Sequence, residues 1–193
     1  MAVLILGLVI FIGVHSVRIA APQWRDAQIA RFGVKGWRAA FAVLSLAGIV
    51  LTIRGYGLAR HTPPVQVWFP PFWMSHVTAL LTLIAFVLIV ATWVRGNHLQ
   101  RAIGHPLLCG IALWAFAHLL ANGTLHDIVL FGAFFVWSIT ALLAGRRRDR
   151  ATGIVYPAGV VSRDAIAVAI GFVAWAIFAF YLHGPLIGVR PLG

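Results

Sequence analysis

Six apolar runs, at residues 2–21, 37–54, 72–94, 105–121, 125–144 and 165–183, take up most of this chain. A hydrocarbon core about 30 Å thick calls for roughly 17–25 apolar residues per spanning helix. Inside it every backbone N–H and C=O must be paired within the segment, which favours helices. The runs therefore predict an all-α, polytopic membrane helix bundle of about six transmembrane helices, forming one integral membrane domain over residues 1–193. The charge content agrees. Only 10% of the residues are charged, four of them acidic, where a soluble domain carries about 25%. The first run lacks a basic leader and a clear small-residue cleavage site, so it reads as a retained span rather than a signal peptide.

Punctuation residues set the boundaries. His105-Pro106 opens the fourth run and Asn122-Gly123 closes it, which predicts a short antiparallel hairpin between spans four and five. Pro63, Pro64, Pro70 and Pro71 mark an irregular loop before span three. Trp68, Phe69, Phe72 and Trp73 form an expected interfacial aromatic belt there.

Basic residues fall on alternate sides. Arg18, Arg25, Arg31, Lys35 and Arg38 follow span one, and Arg95 and Arg101 follow span three. Arg146, Arg147, Arg148, Arg150 and Arg163 follow span five. These twelve face only Arg54, Arg60 and Arg190 on the other side. The positive-inside rule then predicts a multi-pass protein of the bacterial inner (cytoplasmic) membrane with both termini periplasmic. The net charge of +11 is read as a topology signal and as contact with anionic membrane lipid, not with nucleic acid. A single cysteine, Cys109, excludes an internal disulfide and reads as packing. The chain carries no phosphate-binding glycine loop, no Cys-x-x-Cys pair and no His-Glu-x-x-His motif.

Ionisable side chains inside a membrane survive mainly where they line a cavity, move protons or hold a ligand. Histidine is the residue to weigh. His118 lies within span four, with Trp114 and Asn122 one turn away on the same face, and a functional role is the better reading. His15, near the end of span one, suits a headgroup contact or a ligand equally. His105 reads first as a cap of span four. His76, in the first turn of span three, is open between the two roles. His61, His98, His126 and His183 sit in or beside loops, where solvated or interfacial roles are expected.

Neutral imidazole is the commonest metal ligand and a frequent axial ligand of haem iron. Helix bundles build cofactor sites from side chains on facing helices. Zinc and non-haem iron usually add carboxylate or thiolate ligands. This chain has no Glu, and its four Asp lie in loops or at span ends. Histidines among aromatics and glycines fit a buried planar macrocycle better than a hydrolytic metal centre. Gly7, Gly13, Gly48, Gly110, Gly132 and Gly171 permit close helix approach.

GVHSVR, GVKGWRAAFAVLSLAGIVL, the loop ending in PPFW, GNHLQRAIGHPLLCG and LWAFAHLLANG together resemble the bacterial NnrU family, through about residue 145. These are multi-pass membrane proteins associated with denitrification genes. The family is similar to plant zeta-carotene isomerase, a haem-b membrane enzyme. Its axial histidines occupy an early His-Ser motif and an Ala-His motif thirteen residues after a His-Pro. The resemblance implies haem b held by His15 and His118, with His105 as the His-Pro histidine. Depth gives a rival pairing. His15 and His118 differ by roughly 10 Å along the membrane normal. Two histidines on one iron can have Cα atoms on the order of 12 Å apart. His76 and His118 lie at similar depth, but the motif match favours His15.

The leading expectation is thus a haem-b-binding membrane protein of the denitrification or nitric-oxide response acting on an apolar small molecule, with a redox-regulated isomerase, a redox carrier and a gas sensor all open. Two axial histidines would fill the iron, so catalysis would require one to leave. One alternative is a membrane methyltransferase that uses S-adenosylmethionine at His105 and Arg101. Another is a non-enzymatic assembly partner of a respiratory complex. A homo-oligomer also stays open.

Overall fold

A computed structural model describes residues 1–191, and its regular elements are helical. The helices are α1 (Ala2–Ala20), α2 (Pro22–Arg60), α3 (Met74–Ala91), α4 (His98–Ile103), α5 (Pro106–Ala121), α6 (Leu125–Thr152) and α7 (Val161–Ile187). Helix α7 passes through a π-helical turn at Phe178–Leu182. Pro185 follows, and its ring would crowd the carbonyl four residues back, at Tyr181, in a regular α-helix.

Among the described residues, five of the seven helices, α1, α2, α3, α6 and α7, are long and apolar enough to cross a membrane. The sixth expected span is α5, which has only 16 residues. At 1.5 Å per residue it reaches roughly 24 Å, short of the hydrocarbon thickness. Its limits are the expected ones: Pro106 is its first residue and Asn122 its C-cap.

Two stretches expected to be loops are helical. Residues 22–32 form an arm of α2 that begins on Pro22 and bends at Gly33, whose φ of 72° an L side chain rarely adopts. Across the bend the Trp24 ring meets Trp37 edge-on at 6.0 Å, with the Arg25 guanidinium 5.9 Å from the Trp37 ring. Helix α6 runs past its apolar residues through the basic cluster to Thr152, and Gly153, at φ 66°, follows it.

Contacts divide the chain into two compact units. The first holds Met1–Trp68 and Thr124–Ala133. Here α1 packs on α2 through small residues. A Cβ on Gly48 would sit 2.7 Å from the Phe11 nitrogen, and one on Gly7 would sit 2.7 Å from the Thr52 hydroxyl. Leu4 and Leu8 are buried in this seam, whereas Val43, Leu46 and Ile53 face outward, as lipid-facing residues do. The Val65 carbonyl accepts from the Leu125 N–H at 2.8 Å and ties the proline-rich loop to the start of α6.

The second unit holds Phe69–Gly123 and the chain from Phe134 onward. Helix α3 packs against both α5 and α7. Gly110 lets α5 approach Ala85 and Ile89, and Gly171 lets α7 approach Val87. Thr78 donates to the Ala117 carbonyl at 2.9 Å, and the Trp175 indole donates to Thr82 at 3.1 Å. Gly13 and Gly132, also expected at close contacts, face open space among the described residues, where a side chain would meet no neighbouring element. Fully buried Asn97 caps α4 by accepting from the Gln100 N–H at 2.7 Å, and its amide donates back to the Ala91 carbonyl at the end of α3.

Candidate functional site

His15 lies on α1 in the first unit, and His76, His105 and His118 belong to the second. His15 Nδ1 is 2.7 Å from the Phe11 carbonyl, one turn back. A carbonyl only accepts, so Nδ1 carries the proton and Nε2 is the lone-pair nitrogen of the neutral ring. The ring packs against Phe11 at 4.3 Å and against Phe41 of α2 at 4.9 Å. One turn beyond Phe41, the Ser45 hydroxyl is buried with no hydrogen-bond partner among the described residues.

His118 repeats this arrangement in the last turn of α5. Its Nδ1 donates to the Trp114 carbonyl at 2.8 Å, again making Nε2 the unprotonated nitrogen. Its ring lies 5.1 Å from the Trp114 ring, which meets Phe134 edge-on at 5.8 Å. Asn122 donates to the His118 carbonyl at 2.8 Å, so both residues one turn from His118 engage it.

His76 lies on the same α3 turn as Thr78, whose bond to Ala117 puts it level with the end of α5. Its ring is exposed and meets Phe72 edge-on at 6.2 Å. His105 occupies the N-cap position of α5, but its side chain makes no cap bond. Its Nε2 instead lies 2.8 Å from Asp149 Oδ2, off the line of a hydrogen bond. Gly145 of α6 makes room for that ring: a Cβ there would be 2.7 Å from Nε2.

His126, expected in a solvated setting, is buried, with 8% of its surface exposed. It belongs to a polar cluster of the first unit. Tyr56 donates to Asp127 Oδ1 at 2.7 Å. Thr124 donates to Asp127 Oδ2 at 2.5 Å, and its oxygen lies 3.0 Å from His126 Nε2. The Tyr56 and His126 rings meet edge-on at 5.5 Å. Thr124 immediately precedes α6 and Asp127 is its third residue, a capping-box spacing visible in the sequence as Thr-Leu-His-Asp.

At the basic end of the second unit, α4, α5, α6 and α7 are cross-linked by polar side chains. Tyr156 donates to Asp149 Oδ2 at 2.7 Å. Burial, then the adjacent carboxylate, pushes the Tyr156 phenol up to about 12. The turn glycine Gly104, at φ 77°, faces Tyr156, which would lie 3.0 Å from a Cβ there. Asp164 receives the His98 N–H at 2.8 Å and the His98 ring at 2.5 Å, fastening α7 to α4. Arg101, Arg146 and Arg150 surround an open cleft of about 190 Å³ beside Asp149 and Tyr156.

The model of one protein family, described as NnrU protein, matches residues 3–191. The chain belongs to the NnrU family. Membership extends past residue 145 to include α7 and the segment that carries Tyr156 and Asp164. NnrU proteins are multi-pass membrane proteins linked to the nitric-oxide and denitrification response. No curated protein and no solved structure matches this chain. Among its described residues, no three His, Cys, Asp or Glu side chains gather where they could hold a metal ion. A haem iron asks less of the protein, because the macrocycle supplies four nitrogens and the chain only axial ligands. The NnrU cleft at Arg101 and Arg146 is smaller than the roughly 300–1,000 Å³ of sites for ligands the size of adenosylmethionine.

Proposed function

We propose that this NnrU protein binds haem b through His15 and His118 in the bacterial inner membrane, with both termini periplasmic, and serves the nitric-oxide response on an apolar small molecule. One observation carries the reading. Both histidines donate Nδ1–H to the carbonyl one turn back, at 2.7 and 2.8 Å, and so hold Nε2 in the form that binds iron. The second of these bonds is itself anchored, since Asn122 holds the same helical turn through the His118 carbonyl.

The surroundings support a flat, apolar ligand. Phe11 and Phe41 wall His15, and Trp114 and Phe134 stand beside His118. Such rings exclude water and offer faces to a macrocycle. Haem, when bound, supplies a one-electron redox centre whose potential follows the axial ligands and the dryness of the site. The protein's part is to fix imidazole orientation and tautomer and to keep the site apolar. The sign of the loop charges supports the orientation.

The test is an absorption spectrum of protein purified in detergent after expression with haem supply, oxidised and then reduced with dithionite. A Soret band with sharp, split α and β bands on reduction is expected. A spectrum without a Soret band, before and after reconstitution with haemin, overturns the reading.

A further inference from the structure

We propose that the cleft between α4 and the end of α6 is a phosphate-binding site, filled from the membrane by an anionic lipid headgroup. The chain has fifteen basic residues and four carboxylates. Each carboxylate is already engaged: Asp26 by Arg25, Asp127 by Tyr56 and Thr124, Asp149 by Tyr156 and His105, and Asp164 by His98. No Glu exists to add a fifth. Three guanidiniums and one carboxylate line the cleft, which leaves it an excess of positive charge for an anion from outside the chain.

Three guanidiniums converge there. Arg146 and Arg150 lie one turn apart on the same face of α6, and Arg101 comes from α4. None makes an ion pair among the described residues, although Arg146 reaches the Ile103 carbonyl at 3.5 Å. Asp149 lines the same cleft, but its carboxylate is held by Tyr156 and His105. Guanidinium forks match the oxygens of a phosphate and bind it through charge-assisted hydrogen bonds. A volume of about 190 Å³ suits a single phosphate group with part of its ester. Gly104 keeps the wall low where the chain turns from α4 into α5.

Position selects the source. The apolar residues of α6 end at Ala144, and Arg146 begins the charged turn. The cleft is thus level with the edge of the hydrocarbon, where lipid phosphates lie, and basic pockets at that depth take anionic headgroups. This inference is independent of haem.

The test compares two double variants with equal loss of charge on one helix. Arg146→Gln with Arg150→Gln removes cleft-lining groups. Arg147→Gln with Arg148→Gln removes neighbours that do not line it. Each protein is placed in nanodiscs of phosphatidylcholine alone or with one part in three phosphatidylglycerol, and Tm and retained lipid are read by thermal melting and native mass spectrometry. The expected result is a phosphatidylglycerol-dependent rise in Tm, with retained phosphatidylglycerol, in the unaltered protein and the Arg147/Arg148 variant. More than half of that rise is lost in the Arg146/Arg150 variant. Inorganic phosphate is titrated into the phosphatidylcholine discs as a second arm. A cleft-dependent rise there, with none from phosphatidylglycerol, keeps the phosphate site and replaces lipid by a soluble source. Equal responses of the two double variants, or no response to either anion, overturn the proposal.

Discussion

His105 Nε2 and Asp149 Oδ2 stand 2.8 Å apart, although 43 residues separate them and the side chain of one crosses the bare backbone of Gly145 to reach the other. The pair joins the start of α5 to the charged end of α6, and Tyr156 completes it from the following loop. Three connections thus meet at a carboxylate in the basic end of α6.

Replacing Gly145 tests that crossing. In Gly145→Val the new Cβ falls 2.7 Å from His105 Nε2, and the ring must leave Asp149. Overpacking of this kind costs about 1–3 kcal/mol. Thermal melting in detergent is expected to show a Tm several degrees lower. His105→Ala should restore most of the loss in the double variant, because the colliding ring is gone. Additive losses in the double variant would show that the two residues do not meet.

Tyr156 yields a pH prediction. Its phenol is pushed from 10.0 up to about 12, first by burial and then by its bond to Asp149. The folded chain therefore holds this proton more tightly than the unfolded chain does. The stabilisation is complete below about pH 10 and is lost as the pH rises through about 12. Phenolate absorbance near 295 nm, compared with Tyr156→Phe, is expected to place this residue well above an unperturbed tyrosine. Asp149→Asn should move it down without reaching 10, since burial remains. Titration of Tyr156 at 10 in the unaltered protein would contradict the geometry.

Each apolar run falls on a helix, but the runs mark helix limits poorly. Hydropathy reports where lipid ends, not where hydrogen bonding ends. Arg and Ala are good helix formers, so α6 continues through Arg146–Thr152 into water and α2 begins before its apolar part, at Pro22. The ends of α5 were legible because Pro106 and Asn122 act locally. His15 and His118 drew attention through motif and burial, but their shared Nδ1 bonds to the preceding turn are visible only once the helices are built. His126 is next to a loop yet buried, so nearness to a loop is no measure of its exposure. The Thr124-to-Asp127 spacing was the available signal, and it marks the polar cluster that buries this histidine.

That cluster has a measurable weight. Asp127, 5% exposed, accepts from Tyr56 and Thr124, and its loss leaves both donors without their acceptor. Asp127→Ala is expected to cost about 1–3 kcal/mol for the orphaned groups, and Tyr56→Phe, which removes one bond, about 0.5–1.5 kcal/mol. Denaturant unfolding in mixed micelles checks the order. A Tyr56→Phe loss as large as that of Asp127→Ala would mean that Thr124 contributes nothing.

The close contact of α1 with α2 predicts sensitivity at small residues. Gly48→Leu brings a Cβ to 2.7 Å from the Phe11 nitrogen, a backbone atom that cannot swing aside. Gly13→Leu meets open space. The first is expected to lower Tm and the yield of folded protein, at a cost of about 1–3 kcal/mol or more. The second should stay within about 0.5 kcal/mol of the unaltered chain. Equal effects would show that α1 and α2 pack in another register.

Histidine variants separate the two proposed pairings of axial ligands. His118 belongs to both, so His118→Ala is expected to abolish haem retention through purification, measured as pyridine haemochrome per protein. His15→Ala should lose most of it as well, because His15 holds Nε2 as the lone-pair nitrogen by the same bond to the preceding turn as His118. His76 has an exposed ring against Phe72, so His76→Ala should keep haem near the unaltered level. Normal haem in His15→Ala with loss in His76→Ala would transfer the second ligand to α3. Normal haem in His118→Ala would remove the assignment of α5 altogether. Asn122→Ala offers a finer test of positioning. It removes the side-chain bond to the His118 carbonyl, leaving the backbone N–H of residue 122 at 3.0 Å and the ring untouched, and it is expected to leave the haem spectrum in place while speeding haem loss to apomyoglobin. An unchanged rate would show that the end of α5 is held by its packing and its backbone bonds without the Asn122 side chain.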